Sequence, residues 1–350
     1  MIQRILFSLL ILCSLQTFAQ DLVDYRANHP YIQYTGRIFK SNFVTYRFWQ
    51  PGVYIRAKFK GTYCNIVMDD EELYNQHNYL AIQIDNQPPQ RVQTTAKHNV
   101  IKAASNLRDG EHIITICKNT EAGIGYLEFI GFQCNKLMPI TATPSRRLEF
   151  IGNSITCGTG SDQSNFPCGQ GQWYDQHNAF MSYGPLTARA LDAHWMLSSV
   201  SGIGLIHSCC DMKITMPQVF DKINMRDNSL QWDFNKYQPH VVTVCLGQND
   251  GKQDSTTFCN AYLRFIRTLR GYYPNASIVL LSSPMADADL SAVLKSYIKT
   301  IVVASGDKNV SYYFFSKRYH GGCGDHPTLE EHQLIAKELT AYISKLKGWN

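Results

Sequence analysis

The sequence has no run of lysine or arginine. Its net charge of +5 over 350 residues is too small and too dispersed for the basic patch on which nucleic-acid binding depends. After residue 20 no apolar run reaches the roughly eighteen residues of a membrane-spanning helix. Neither a Cys-x-x-Cys pair nor a His-Glu-x-x-His motif occurs. These absences argue against a nucleic-acid partner, a membrane span and a dedicated metal site.

Residues 1–20 have the pattern of a cleaved export signal. Arg4 gives a basic start, residues 5–15 are apolar, and small residues around Ala19 form a cleavage site. Leu12 precedes Cys13, where a lipoprotein signal requires a small residue. We therefore predict cleavage near residues 19–20 and a secreted or periplasmic protein without a lipid anchor.

Cysteine is not scarce, since removal of Cys13 with the leader leaves ten of the eleven cysteines. Disulfides can form in an exported protein, although their connectivity cannot be read from the sequence. Cys157 and Cys168 would close a short loop and are the first pairing we expect. Cys245 lies in an apolar run and is expected to be a buried, unpaired side chain.

Residues 21–138 are predicted to form an all-β sandwich or jelly-roll domain. Short runs rich in Val, Ile, Tyr and Phe are separated by turn residues, with no long helical period. The predicted strands are 39–49, 53–60, 63–68, 79–84, 99–103, 112–118 and 125–133. Within the first of them Tyr46 and Phe48 share the core face, which leaves Trp49 as the ring expected to be exposed.

Residues 145–350, after a linker at 139–145, are predicted to form a three-layer α/β domain. Apolar strands alternate with segments of helical spacing, and the last segment opens with a capping box from Thr328 to Glu331. This alternation is typical of a mostly parallel sheet with flavodoxin-like strand order. The predicted strands are 148–151, 195–200, 241–246, 277–282 and 310–315.

Polar residues follow three of these strands and precede the final helix. They are Gly152-Asn153-Ser154, Ser201-Gly202-Ile203-Gly204, Gly247-Gln248-Asn249-Asp250 and Gly322-Cys323-Gly324-Asp325-His326-Pro327. Strand carboxyl ends in a parallel sheet meet at one edge, where ligands bind. The set contains a hydroxyl, glycine amides, a carboxamide and an imidazole, which is what acyl transfer requires.

In these motifs and their order, the chain resembles the SGNH (GDSL-type) hydrolases. It is most similar to carbohydrate esterase family 2, whose members carry a jelly-roll domain before the hydrolase domain. The resemblance implies Ser154 as nucleophile and His326 as general base. It also implies an oxyanion hole made by the N–H of Ser154, the side chain of Asn249 and the amide of Gly202 or Gly204, between which the sequence does not choose.

The sequence departs from this family at the acid that orients the histidine. Many members have an Asp three residues before the His, where this chain has Cys323. Asp325 directly precedes His326, but neighbouring side chains on an extended segment point to opposite sides. We therefore favour a Ser–His dyad with a backbone carbonyl holding the imidazole, as in some members of the family, over a triad completed by Asp325.

Each of these residues also has a structural interpretation. Ser154 could be only an N-cap of the following helix, and Asn249 an ordinary turn residue. His332 is a second candidate base, although its position inside the last helix favours a packing role. Trp173 and Tyr174 are candidates to stack on a sugar ring or to pack in the core.

The function expected from the resemblance is an exported serine esterase. It would deacetylate a plant polysaccharide such as xylan, mannan or glucomannan through an acetyl-enzyme on Ser154, with no cofactor. The alternatives are a lysophospholipase or thioesterase on the same fold, and a carbohydrate-binding protein whose hydrolase domain is inactive. The sequence leaves the oligomeric state open.

Overall fold

Alternating apolar side chains build the first part of the chain into an antiparallel sheet. In this computed structural model, which describes residues 22–349, strands β1 to β10 belong to one ten-stranded sheet. We call residues 23–138 the β domain. Its strands are β1 (Val23–Arg26), β2 (Gln33–Thr35), β3 (Phe39–Lys40), β4 (Tyr46–Phe48), β5 (Tyr54–Asp70), β6 (Tyr79–Ile84), β7 (Gln90–Gln93), β8 (His98–Ala104), β9 (Glu111–Lys118) and β10 (Leu127–Met138).

Strand β5 organises the β domain because it is 17 residues long. Its first half pairs with β9, its second half pairs with β8, and β10 pairs along most of its length. The sheet thereby folds over a core that includes Ile55, Phe59 and Met68. The predicted antiparallel sandwich is confirmed, although the two strands predicted at 53–60 and 63–68 are one continuous strand.

The exposed position predicted for Trp49 is wrong. Its indole is buried, in contact with Tyr126 at 5.5 Å between ring centroids, and it belongs to a core that continues into the second half of the chain. The face of the β4 segment opposite its own core is covered by the other domain, and strand alternation does not reveal that partner.

The second half, residues 146–349, is a parallel sheet with helices on both faces, and we call it the α/β domain. Its strands are β11 (Arg146–Gly152), β12 (Ala193–Ser199), β13 (Lys222–Asn224), β14 (Ser229–Gln231), β15 (Val241–Cys245), β16 (Ser277–Leu281) and β17 (Val310–Tyr313). Its helices are α1 (Ser154–Cys157), α2 (Tyr183–Ala190), α3 (Met216–Val219), α4 (Ser255–Tyr272), α5 (Ala288–Ser305) and α6 (Leu329–Lys347).

The parallel sheet has the order β12-β11-β15-β16-β17, while β13 and β14 form a separate hairpin. With only the strands of this parallel sheet numbered, that order is 2-1-3-4-5, so the flavodoxin-like prediction is confirmed. Helices α2 and α6 bury Tyr183 and Leu339 on one face, and α4 and α5 bury Phe265 and Ile298 on the other. The capping box predicted at Thr328 opens α6.

Among residues 22–349, no helix combines the length and apolar character that crossing a bilayer requires. The predicted export signal at residues 1–20 lies outside the described residues.

Candidate active site

The turn after β11 is shaped by a close approach that only glycine permits. A Cβ on Gly152 would lie 2.1 Å from Thr156 Oγ1, so any side chain there would collide with α1. Asn153 caps α1, since its Oδ1 accepts a hydrogen bond from Ile155 N at 3.2 Å. Ser154 is therefore the first residue of the helix and not its cap. Among the described residues its hydroxyl has no hydrogen-bond partner, and the residue is 8% exposed.

The turn after β12 distinguishes the two glycines between which the sequence does not choose. The N–H of Gly204 donates to Ser208 Oγ at 3.0 Å and is therefore occupied. The N–H of Gly202 has no acceptor within the part of the chain that the structure describes. Gly202 also has φ of +79°, a left-handed backbone that favours glycine. Gly202 is thus the residue whose amide is free to bind a ligand.

The turn after β15 places Asn249 against the same segment. Its Nδ2 donates to Ile203 O at 2.9 Å, which uses one of the two hydrogens of the carboxamide and leaves the other free.

Asp250, to which the sequence analysis assigned no role, is buried beside Asn249. Its carboxylate accepts hydrogen bonds from the N–H groups of Leu205, Ile206 and His207 at 2.7–3.1 Å. Because one carboxylate accepts hydrogen bonds from three consecutive backbone N–H groups, the backbone that follows Gly204 is held in place. An Asp directly after the candidate Asn was the only signal in the sequence.

His326 is held by a backbone carbonyl. Its Nδ1 lies 2.9 Å from Cys323 O, and a carbonyl can only accept, so Nδ1 carries the proton and Nε2 is left as the basic nitrogen. Asp325 is exposed, with φ of +58°, and makes no hydrogen bond to the imidazole. Burial lowers the pKa of His326 below its ordinary 6.5, although hydrogen bonds to Cys323 O and Gly324 O oppose this effect.

Contacts between the loops join these four segments at the carboxyl edge of the sheet. Cys323 N donates to Gly160 O at 2.9 Å, which ties the histidine loop to the segment after α1. The hydroxyls of Thr159 and Ser201 lie 2.9 Å apart and tie that segment to the Gly202 turn. The Asn249 bond to Ile203 O completes the chain of contacts.

The pairing expected between Cys157 and Cys168 is wrong. Cys168 is bonded to Cys323, so the disulfide joins the 162–178 loop to the histidine loop. Cys157 lies in α1 and points into the core, where its thiol contacts Ser199 Oγ, and it is unpaired. A second disulfide joins the neighbours Cys209 and Cys210. Cys245 is buried and unpaired, as expected.

Of the two aromatic candidates for substrate contact, only Trp173 reaches a cavity. Trp173 is 53% exposed and lines a cavity of 410 Å³ together with His326. Tyr174 is buried against Tyr79 and Ile124, so it cannot stack on a sugar ring. The two neighbouring side chains therefore point in different directions, one towards the cavity and one into the core.

The second candidate base, His332, is part of the core. Its ring is fully buried and stacks on Tyr183, and its Nδ1 accepts the N–H of Tyr183 at 3.2 Å. It therefore caps α2 and has no path to a substrate.

His177, which the sequence analysis missed, is buried beside the site. Its ring packs edge-on against Trp173, with 4.6 Å between centroids. Its pKa is well below its ordinary value because of burial, and His326 adds to the effect.

A larger cavity of 720 Å³ lies away from these residues, beside Tyr34, Arg147 and His194. Arg147 and His194 belong to the amino-terminal halves of β11 and β12. In parallel sheets ligands bind at the carboxyl end of the strands, so we place the active site at the smaller cavity.

The fold and the loop residues define a hydrolase of the SGNH type. Residues 150–332 match the GDSL-like Lipase/Acylhydrolase family. Residues 34–144 match the family described as Carbohydrate esterase 2 N-terminal.

Similar proteins place the chain within this class. An acetylxylan esterase / glucomannan deacetylase of Cellvibrio japonicus is 30% identical, over 92% of this chain and 91% of that protein. The structure of a family two carbohydrate esterase from Cellvibrio japonicus is 29% identical, with a TM-score of 0.86 over 94% of this chain and 98% of that one. A family two carbohydrate esterase from Clostridium thermocellum, in complex with cellohexaose, is 30% identical, with a TM-score of 0.84 over 91% and 100%. The chain belongs to carbohydrate esterase family 2, and it is an esterase.

Proposed function

We propose that the protein is an exported serine esterase that removes acetyl groups from a plant polysaccharide such as xylan, mannan or glucomannan. The observation that carries the mechanism is the bond between His326 Nδ1 and Cys323 O, because it leaves Nε2 as a base without a carboxylate. The free hydroxyl of Ser154 is the nucleophile of the dyad.

In the first half-reaction Ser154 Oγ attacks the ester carbonyl while His326 Nε2 takes the hydroxyl proton. The oxyanion receives hydrogen bonds from the N–H of Ser154, the N–H of Gly202 and Nδ2 of Asn249. The bond between the acyl carbon and the sugar oxygen then breaks, and the imidazolium gives its proton to that leaving oxygen, which becomes a hydroxyl. The products are the free sugar and an acetyl ester on Ser154.

In the second half-reaction water attacks the acetyl-enzyme. His326 takes a proton from the water, the same three donors hold the second oxyanion, and acetate leaves as Ser154 regains its proton. Both half-reactions use one base and no cofactor.

The residues around His326 support a short acyl group on a carbohydrate. The cavity is lined by glycine and glutamine residues, Thr159, Cys323 and His326, and Trp173 is the large apolar side chain among them. A long acyl chain requires an apolar groove, and among residues 22–349 no aliphatic side chain lines this cavity. An exposed indole is suited to stacking on a sugar ring. The relative named above as an acetylxylan esterase / glucomannan deacetylase supports the same substrate class.

The test is hydrolysis of 4-nitrophenyl acetate and acetylated xylan by the wild type and by Ser154→Ala, His326→Ala and Asp325→Ala. We expect the first two variants to lose at least about 10³-fold in kcat, since removal of either member of a coupled pair abolishes its chemistry. Asp325→Ala should stay within about threefold, because this carboxylate does not contact the imidazole.

Two results would contradict the proposal. A folded Asp325→Ala protein with kcat reduced as strongly as Ser154→Ala would show a triad. A wild type that releases acetate from neither substrate would exclude an acetylesterase, and hydrolysis of longer acyl esters or glycan binding without turnover would then decide between the alternatives.

A further inference from the structure

One carboxylate of the β domain reaches the oxyanion side of the active site. Glu121 lies in the turn that follows β9 and is 3% exposed. Its Oε2 accepts a hydrogen bond from Ser201 N at 2.9 Å. Ser201 directly precedes Gly202, whose N–H we assign to the oxyanion hole. A residue of one domain therefore holds the peptide next to a donor of the other.

The same carboxylate faces the loop of the nucleophile. Burial raises the pKa of Glu121. Hydrogen bonding by the side chains of Ser201 and Thr159, together with the charge of Lys118, opposes that rise. The Thr159 hydroxyl lies 2.9 Å from the Ser201 hydroxyl. Thr159 N in turn donates to Ser154 O at 3.1 Å. Glu121 thus lies where the segment after Ser154 and the Gly202 turn meet.

The backbone that carries Glu121 is itself fixed. The buried ammonium of Lys118 donates to Thr120 O at 2.7 Å and to Glu121 O at 3.0 Å. Asn119 Oδ1 accepts the N–H of Phe180 in the α/β domain at 3.1 Å. A fixed support of this kind can hold an acceptor in one place relative to the α/β domain.

Burial of this carboxylate is costly, and the charge of buried Lys118 compensates for it only from a distance, since that ammonium donates to backbone carbonyls and not to the carboxylate. Within residues 22–349 the ionisable group in closest contact with the carboxylate is His177, whose Nδ1 is 3.8 Å from Oε1, and neither atom has a hydrogen-bond partner. A buried carboxylate without a salt bridge destabilises the fold unless its hydrogen bonds compensate. Its hydrogen bond to Ser201 N, beside the oxyanion donors, points to a role in placing them.

We propose that Glu121 is a positioning residue of the esterase reaction, which holds the Ser201–Gly202 peptide so that the Gly202 N–H points at the oxyanion. The β domain would then be part of the catalytic apparatus. This inference rests on the proposed function, because it takes Ser154 as nucleophile and Gly202 as donor.

The test compares two substitutions that differ in reach. Glu121→Gln keeps the length and an acceptor oxygen, whereas Glu121→Asp keeps the charge but withdraws the carboxylate by one methylene. We expect Glu121→Asp to lower kcat for 4-nitrophenyl acetate by about 10-fold or more, since a misplacement of about 1 Å can cost about 10²-fold. KM should stay within about threefold, and Glu121→Gln should keep kcat within about threefold of wild type.

Glu71→Gln is the matched control. Glu71 is also in the β domain and pairs with Arg226 of the α/β domain at 3.1 Å, without contact to Ser201. We expect it to leave kcat unchanged. Thermal unfolding of all three variants, and the rate at which a fluorophosphonate labels Ser154, give independent readouts. The rate of labelling should fall in parallel with kcat in Glu121→Asp and in neither of the other two variants. The reason is that the reaction of the fluorophosphonate with Ser154 depends on the same oxyanion donors as ester hydrolysis.

The inference would be overturned by wild-type kcat in Glu121→Asp. Equal losses in Glu121→Asp and Glu71→Gln would also overturn it, since any disturbance of the interface would then suffice. A larger loss of kcat in Glu121→Gln than in Glu121→Asp would overturn it as well, because charge and not placement would then matter. A wild type that is neither active nor labelled at Ser154 would instead contradict the proposed function.

Discussion

Glu121 of the β domain and Glu149 of the α/β domain are buried carboxylates that each contact the opposite domain, and they have different partners. Glu149 of the α/β domain lies in β11 and pairs with Arg37 of the β domain at 3.2 Å, with both side chains fully buried. Glu121 of the β domain accepts a backbone N–H of the α/β domain, and within residues 22–349 no arginine or lysine forms a salt bridge with it.

Arg37 lies in a fully enclosed part of the interface. Its guanidinium also donates to Phe220 O and to Lys222 O, and it lies over the ring of Phe220 at 5.0 Å. Ser198 Oγ gives Glu149 a second hydrogen bond at 2.5 Å. These contacts join the β domain to β11 and to the segment that begins the β13–β14 hairpin. None of them involves a residue of the candidate site.

One interface therefore serves two purposes. Where the carboxylate of Glu149 forms a salt bridge, the contact holds the two domains together. Where the carboxylate of Glu121 has no lysine or arginine in direct contact within residues 22–349, it holds a peptide beside the reacting atoms. Disturbance of the two regions should therefore affect different measured quantities.

The largest effect is expected at the neutralised pair. Arg37→Met leaves Glu149 buried without its cation, which typically costs about 3–5 kcal/mol of unfolding free energy. Denaturant unfolding measures the loss, and kcat of the folded protein should be unchanged. The double variant Arg37→Met with Glu149→Leu should recover part of the loss, because no uncompensated charge remains. A fall in kcat without a fall in stability would erase the distinction between the two regions.

A smaller effect is expected at Trp173, which lies at the catalytic region and packs on His177. Trp173→Ala should raise KM for acetylated xylan by about 10-fold, as loss of a stacking contact is worth about 1–2 kcal/mol. Hydrolysis of 4-nitrophenyl acetate should change by less than about threefold, since that substrate has no sugar to stack. Exposed Tyr74, in the β domain, offers a control, and Tyr74→Ala should change neither substrate. Equal losses on both substrates would show that the indole supports the site and does not bind glycan.

The smallest effect concerns pH. The pKa of His326 is lowered by burial, so Nε2 stays neutral, and kcat/KM constant, down to a pH below the ordinary 6.5. Activity should be lost as pH falls through that lowered pKa. The Asp325 carboxylate raises the pKa of His326, and Asp325→Asn should move the acid limb to lower pH by less than about half a unit. An acid limb above pH 6.5 would contradict the burial of the imidazole.

Two other buried histidines, His332 and His177, make the free energy of unfolding depend on pH. The pKa of His332 is lowered to about 3 and that of His177 lies well below 6.5, both through burial. The unfolded chain therefore binds protons that the folded protein does not. The stability that these two histidines contribute by staying neutral is fully present above pH 6.5 and is lost as pH falls below it.

Much of the fold followed from local patterns. Strand alternation before residue 138 and the change to alternating strands and helices after residue 145 depend on side-chain periodicity, which each segment carries by itself. Strands β12, β15 and β16 lie within one or two residues of their predicted bounds. The continuous β5 was missed because Gly61 divides its apolar pattern.

Contacts between distant segments were predictable only in part. The sequence could place Ser154 and His326 at one edge of the sheet, because parallel strands align their carboxyl ends. It could not show that Asn153 caps α1, that Gly204 is occupied by Ser208, or that Tyr174 is buried while Trp173 is exposed. Each depends on which way a side chain or amide points, and sequence spacing does not fix that direction.

By itself the sequence determined the class of fold, the order of the motifs and the residue types available for acyl transfer, because these depend on local periodicity and on chemistry. The tertiary structure decided that Cys168 pairs with Cys323, that a carbonyl and not Asp325 holds His326, and that Glu121 of the β domain reaches Ser201. The physical reason is that all three contacts depend on packing between distant segments. Cys168 and Cys323 are 155 positions apart and Glu121 and Ser201 are 80 apart, so each pair meets only after the chain has folded. Cys323 is only three positions from His326, but the direction of its carbonyl depends on a loop that the disulfide and the contact with Gly160 hold in place.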